Sequence, residues 1–139
     1  MQITEKIKSF EDACAHHGIE PNIPDVSGLM PKHQEAVVNF YKLSVITSAL
    51  NEGWEKDWNN YNEYIYYPWW YVETLGSFAG LADAFTSYAV SYADALLGSR
   101  LGFKTRELAR YAASQFRDIY REIILFTYPK TNGNSDQSE

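Results

Sequence analysis

The chain has 139 residues, 45% hydrophobic and 22% charged, which fits one domain able to bury roughly two thirds of the surface its unfolded form exposes. Its formal net charge of -6 lacks the overall basic field of a nucleic-acid binder, so any such role requires a local basic patch. A single cysteine, Cys14, excludes an internal disulfide, no apolar run approaches membrane-span length, and MQITEKIKSFEDA lacks a signal-peptide core, which together set the expectation of a cytoplasmic protein.

Ser9 precedes FEDACAHHG, with Asp12 three residues on and Gly18 at the far end, so the pattern predicts a short helix capped at Ser9 and stopped at Gly18. IEPNIPDVSGLMP carries prolines that forbid regular structure, and reads as an ordered loop. Pro31 then suits a first helical turn, and KHQEAVVNFYKLSVITSALNEG places Val37, Phe40, Tyr41, Ser44 and the group Leu43, Ile46 and Leu50 at helical spacing up to Gly53. WEKDWNNYNE is polar and asparagine-rich, a loop pinned to the body by Trp54 and Trp58.

The stretch YYPWWYVE lies in an aromatic segment, Tyr64 to Glu73, that favours a strand; Pro68 lacks a ladder donor, which makes it an edge strand or a bulged one. With regular pairing Tyr64, Tyr66, Trp70 and Val72 share one face, and Ile65, Tyr67, Trp69 and Tyr71 the other. Residues 76–97 carry both signals. Phe78, Leu81, Phe85, Tyr88 and Tyr92 recur at helical spacing, while Gly76, Gly80 and the Ser and Thr content suit a strand near 76–82 followed by a loop. GSRLGF alternates and reads as a short strand over 99–103. Thr105 caps a long C-terminal helix whose apolar stripe is Leu108, Tyr111, Ala112, Phe116, Ile119, Tyr120 and Ile123. On its opposite side Arg106, Arg110, Arg117 and Arg121 fall within roughly 60° of one another, an arginine ridge. The expected fold is therefore α+β: N-terminal helices, a small antiparallel meander from 64–73, 76–82 and 99–103, and the long helix packed on it, with a single domain over 1–128 and a disordered polar tail over 129–139.

Three stretches, IPDVSGLMPKHQEAVVNFYKLSVITSALNEGWEKDW, YYPWWYV and GSRLGFKTRELARYAASQFRDIY, together resemble a family of small uncharacterised proteins of Bacteroidales bacteria and their phages and prophages. The resemblance implies a phage-associated setting and no assigned activity. Members of that family often carry cysteine where this chain has Gly102, so no thiol role carries over to that position. They also tend to show a glycine- and aromatic-rich strand and a polar tyrosine-rich loop where this chain has the alanine- and leucine-richer LADAFTSYAVSYADALL.

The residues present no catalytic signature. His16 and His17 are adjacent and point about 100° apart on a helix, no spaced Cys/His or HExxH pattern exists, and no metal or other cofactor is expected. There is no GxSxG elbow, and LGSRLGFKTRE matches neither phosphate-loop pattern, although Lys104 and Arg106 stand at a helix start. Glu52, Glu55, Asp57 and Glu73 are available as paired carboxylates, with nothing to fix a working separation. The reading is a non-enzymatic binding protein. Its candidate surfaces are the aromatic face of Tyr67, Trp69 and Tyr71, the cations Arg100 and Lys104, and the ridge Arg106, Arg110, Arg117 and Arg121. A protein partner, self-association or a place in the virion is the first expectation, a sequestered small ligand or nucleotide is the alternative, and an enzyme of undetected type ranks third.

Overall fold

The computed structural model describes residues 1–60, 62–73, 80–90 and 99–124, and of 69–73, 80–90 and 99 it describes the backbone alone. Helices and strands are both present, in the order α1 (Ile3–Lys6), α2 (Phe10–His17), α3 (Pro31–Leu50), β1 (Tyr64–Glu73), β2 (Gly80–Val90), a 3-10 turn (Ser99–Leu101), α4 (Arg106–Gln115) and α5 (Arg117–Ile124). The expected disordered tail over 129–139, residues 76–79 of the expected second strand and the side chains of Trp69 and Tyr71 lie outside the described residues.

Local chemistry sets the first two long helices. Ser9 Oγ accepts from Asp12 N at 3.0 Å to open α2, and Gly18, at φ +71°, closes it in the left-handed region that glycine adopts without steric cost. Pro31 occupies the first turn of α3, where its missing N–H costs nothing. The far end of α3 departs from the expected stop at Gly53. Asn51 is the cap, Glu52 takes φ +53°, and Gly53 N and Glu52 N close back on Ser48 O and Ala49 O. A carboxylate-bearing residue thus holds the left-handed position that glycine usually fills, and Glu52 pairs with Lys104 at 3.5 Å.

The antiparallel ladder joins β1 and β2, with Tyr64 opposite Val90, Tyr66 opposite Tyr88 and Pro68 opposite Thr86. Its one register shift falls between Trp70 and Val72, so the bulge is not at Pro68. Tyr66 exchanges both backbone bonds with Phe103, at 2.9 and 2.8 Å, on the edge of β1 away from β2. Pro68 has the same parity as Tyr66, so its absent N–H falls on that outer edge and no ladder bond is lost.

Two expectations need correction. The three-stranded meander is not formed among the described residues: 99–101 is a 3-10 turn, and pairing there shrinks to the Tyr66–Phe103 bridge. The long C-terminal helix is two helices, broken at Phe116 (φ -114°, ψ 27°) where that ring turns into the core. Residues 83–90, left between loop and helix by pattern, are strand.

The core lies where α2, α3, α4 and α5 meet. Ile7, Phe10, Cys14, Leu43, Ile46, Leu50, Phe103, Leu108, Phe116 and Tyr120 form one buried cluster, each large apolar side chain contributing about 1.5–3 kcal/mol relative to exposure. Burial, with Glu11 adding to it, pushes the Cys14 thiol up, so this cysteine is a small packed group. Burial likewise raises the phenols of Tyr120, Tyr67 and Tyr111, the last donating to Ile7 O at 2.6 Å with Asp12 nearby. A proton held more tightly in the fold than in the unfolded chain leaves stability intact below the ordinary phenol value, about pH 10, and erodes it above. Urea midpoints constant to about pH 9.5 and falling steeply beyond it, in step with phenolate absorbance, are the expected result; midpoints flat to pH 11.5 contradict it.

Candidate functional site

At the C-terminal end of α3 a cleft of about 420 Å³ opens between three pieces of chain. Its floor is the polar stripe Ser44, Thr47, Ser48 and Asn51, spaced i, i+3, i+4 and i+7 and so within roughly 100° on the helix. One wall is the loop from Gly53 to Trp58, and the other is Ile65 of β1 with Arg100 and Gly102.

Asn51 fixes the second wall. Its side-chain amide donates to Gly102 O at 2.9 Å, and its oxygen accepts from Lys104 N at 3.0 Å, across more than fifty positions of sequence and in a buried setting. Phe103 turns its own backbone groups toward Tyr66, so Gly102 and Lys104 present theirs on the opposite edge, and Asn51 satisfies both.

Glu63 fixes the first wall. Its carboxylate accepts from Asp57 N at 2.7 Å and from Trp54 Nε1 at 3.2 Å, and stands 3.8 Å from Lys56 Nζ. The Lys56 ammonium, whose side chain is only 1% exposed, also reaches Asn60 O at 3.2 Å and Asp57 O at 3.4 Å and lies 5.4 Å from the centre of the Trp58 ring. The loop is therefore wound around a buried cation whose charge is met by one carboxylate, two carbonyls and an indole face. Trp54 ties the loop to the residue that precedes β1 through Glu63, whereas Trp58 is exposed and meets Lys56 of the same loop.

Thr47 is the exception to this satisfaction. It is 1% exposed, and its hydroxyl finds no hydrogen-bond partner, whereas Ser44 beside it donates to Phe40 O at 2.9 Å. A buried hydroxyl left unpaired costs about 1–3 kcal/mol, and the Tyr67 hydroxyl, outside both clefts, is buried without a partner as well.

Of the residues singled out from sequence, Arg100 lies at this cleft, exposed and without an ion pair among the described residues. Lys104 lines a second, neighbouring cleft of about 440 Å³ with Trp54, Asn62, Glu63, Tyr64 and Tyr66. Arg106 places its guanidinium 5.1 Å from the centre of the Tyr66 ring. Tyr67 is half-buried with its hydroxyl out of solvent. Arg110 is exposed and Arg117 half-buried, while Arg121 meets Asp118 at 3.0 Å; neither cleft includes these three. Thr47, Asn51, Lys56 and Glu63 were not among the sequence candidates. The polar i, i+3, i+4, i+7 stripe was the available signal for the first two, in a helix half that is otherwise apolar. Among the described residues no group of three or more His, Cys, Asp or Glu is placed to hold a metal, and no helix is long and apolar enough to cross a membrane.

No protein-family model, curated protein or solved structure matches the chain.

Proposed function

We propose that this chain is a non-enzymatic small-ligand-binding protein that holds its ligand in the cleft at the end of α3. The observation that carries the reading is the unpaired, buried Thr47 hydroxyl beneath a cleft whose two walls are each anchored by hydrogen bonds, one through Asn51 and the other through Glu63. Rigid walls around an unspent polar group are what a preorganised binding site consists of. The setting consistent with the family resemblance is a phage- or prophage-associated protein in the cytoplasm of a bacterial host.

Native mass spectrometry of freshly purified protein tests it. The expected result is a 16.0 kDa chain carrying an additional small mass, lost in Ser48→Trp, which fills the cleft from an exposed helix position. A bare 16.0 kDa chain under gentle conditions, before and after incubation with a cell extract filtered to small molecules, overturns the reading.

A second reading, association with another copy of the chain, rests on a different surface. Val37 and Tyr41 are exposed and fall within roughly 40° on the α3 wheel, opposite the buried Leu43, Ile46 and Leu50, with exposed Phe40 beside them. Exposed apolar side chains grouped on one helix face are a usual docking surface. A multiple of 16.0 kDa in the same spectra, returned to a single chain by Val37→Lys, is the outcome it expects.

A further inference from the structure

The groups that line the cleft differ in chemistry, and each narrows the ligand. Trp54 and Trp58 are both present, the first held by its Nε1–Glu63 bond, the second 37% exposed with the Lys56 ammonium near its ring. Indole faces suit a flat ring, and the one held by Glu63 asks little further ordering on stacking. Arg100 contributes an exposed guanidinium with no ion pair among the described residues, and a planar fork of N–H donors suits a phosphate or carboxylate. Lys56 is not available for that task, because its ammonium is buried and already met by Glu63 and the carbonyls of Asp57 and Asn60.

Glu55 also lines the cleft, and a carboxylate beside a bound anion is unfavourable unless it has a donor of its own to accept. A sugar diol supplies such donors, and the exposed Ser48 hydroxyl offers a further partner to a polyhydroxylated group. Ring, diol and anion in one small molecule describe a nucleotide. One uncommitted cation in the lining and a chain charge of -6 weigh against a polyphosphate.

Resting on the small-ligand reading above, we infer that the cleft takes a nucleoside monophosphate. The base lies against the Trp54 and Trp58 indoles, the ribose hydroxyls face Glu55 and the α3 stripe, and the phosphate meets Arg100.

Titration of the full chain with AMP, followed by tryptophan fluorescence and calorimetry, tests this, with adenosine and ribose 5-phosphate as separate probes. AMP is expected to bind at least about tenfold more tightly than either fragment, since each lacks one of the two anchoring contacts. Arg100→Gln, at an exposed position, is expected to weaken AMP about tenfold and to leave adenosine unchanged. Trp58→Leu is expected to weaken AMP and adenosine together. Ribose 5-phosphate binding as tightly as AMP overturns the base contact, and an Arg100→Gln chain that binds AMP as the parent does overturns the phosphate contact. No AMP binding alongside a retained small mass in native spectra overturns the nucleotide assignment and leaves the ligand cleft standing; absence of both removes the cleft itself.

Discussion

Asn51→Leu is expected to lower the unfolding free energy by about 2–4 kcal/mol, although the replacement is similar in size and more apolar. Two backbone groups, Gly102 C=O and Lys104 N–H, lose their partner at once, and each buried group left unpaired costs about 1–3 kcal/mol. Both sit on the stretch that carries Phe103 into the core, so the loss reaches the packing of a fully buried ring. A urea titration measures the total, and faster amide exchange at Lys104 locates it. Asn51→Asp separates the two bonds. Its carboxylate keeps the acceptor for Lys104 N–H but sets an anionic oxygen against the Gly102 carbonyl, so near neutral pH it is expected to be no better than leucine. Acidification protonates that carboxyl and restores a donor, so the Asp variant is expected to recover stability relative to the parent as pH falls through its raised value. A leucine variant within 1 kcal/mol of the parent, or an Asp variant without acid recovery, shows that the two bonds are not what holds this wall.

Asn51 also explains which parts of the fold the sequence discloses. Ser9, Gly18 and Pro31 act on their own neighbours, so α2 and the start of α3 are legible from local chemistry. The alternation in GSRLGF is equally local, yet it does not make a strand. A ladder continuing from the Tyr66–Phe103 pair needs the next inward groups at 101 and 105; the first lies in a 3-10 turn, and Thr105 is already the cap of α4, accepting from Leu108 N at 3.1 Å. The outward groups between them go to Asn51. Two demands from distant sequence therefore limit the pairing to one residue, and alternation carries no information about either. The cleft was illegible for the same reason. Its Arg100 was visible as a cation, but Thr47 matters only because nothing folds back to meet its hydroxyl, and Lys56 only because Glu63 and two carbonyls enclose it.

Gly102→Ala is expected to destabilise the chain by about 1–3 kcal/mol, through crowding and not through backbone conformation. A Cβ at this position would overlap Cδ1 and Cγ1 of Ile65, with Tyr67 Cε1 at 3.3 Å behind them. Ile65 is 2% exposed and stands on β1 next to Tyr66, whose bonds to Phe103 hold the two backbones together, so neither partner moves away cheaply. Residues 65 and 102 thus share one volume, and in this chain Ile65 has taken it. Gly102→Cys alone is accordingly expected to lose at least as much as Gly102→Ala, while Ile65→Ala alone opens a cavity and costs about 2–5 kcal/mol. The double variant Gly102→Cys with Ile65→Ala refills that cavity and is expected to be more stable than the sum of the two losses by more than 1 kcal/mol, a coupling that urea titration of the four chains measures directly. Additive losses within 0.5 kcal/mol indicate that the two positions do not compete for one volume. Because Ile65 and Gly102 both line the cleft, the same pair sets the shape of its second wall, and the double variant is expected to change ligand retention even where it restores stability.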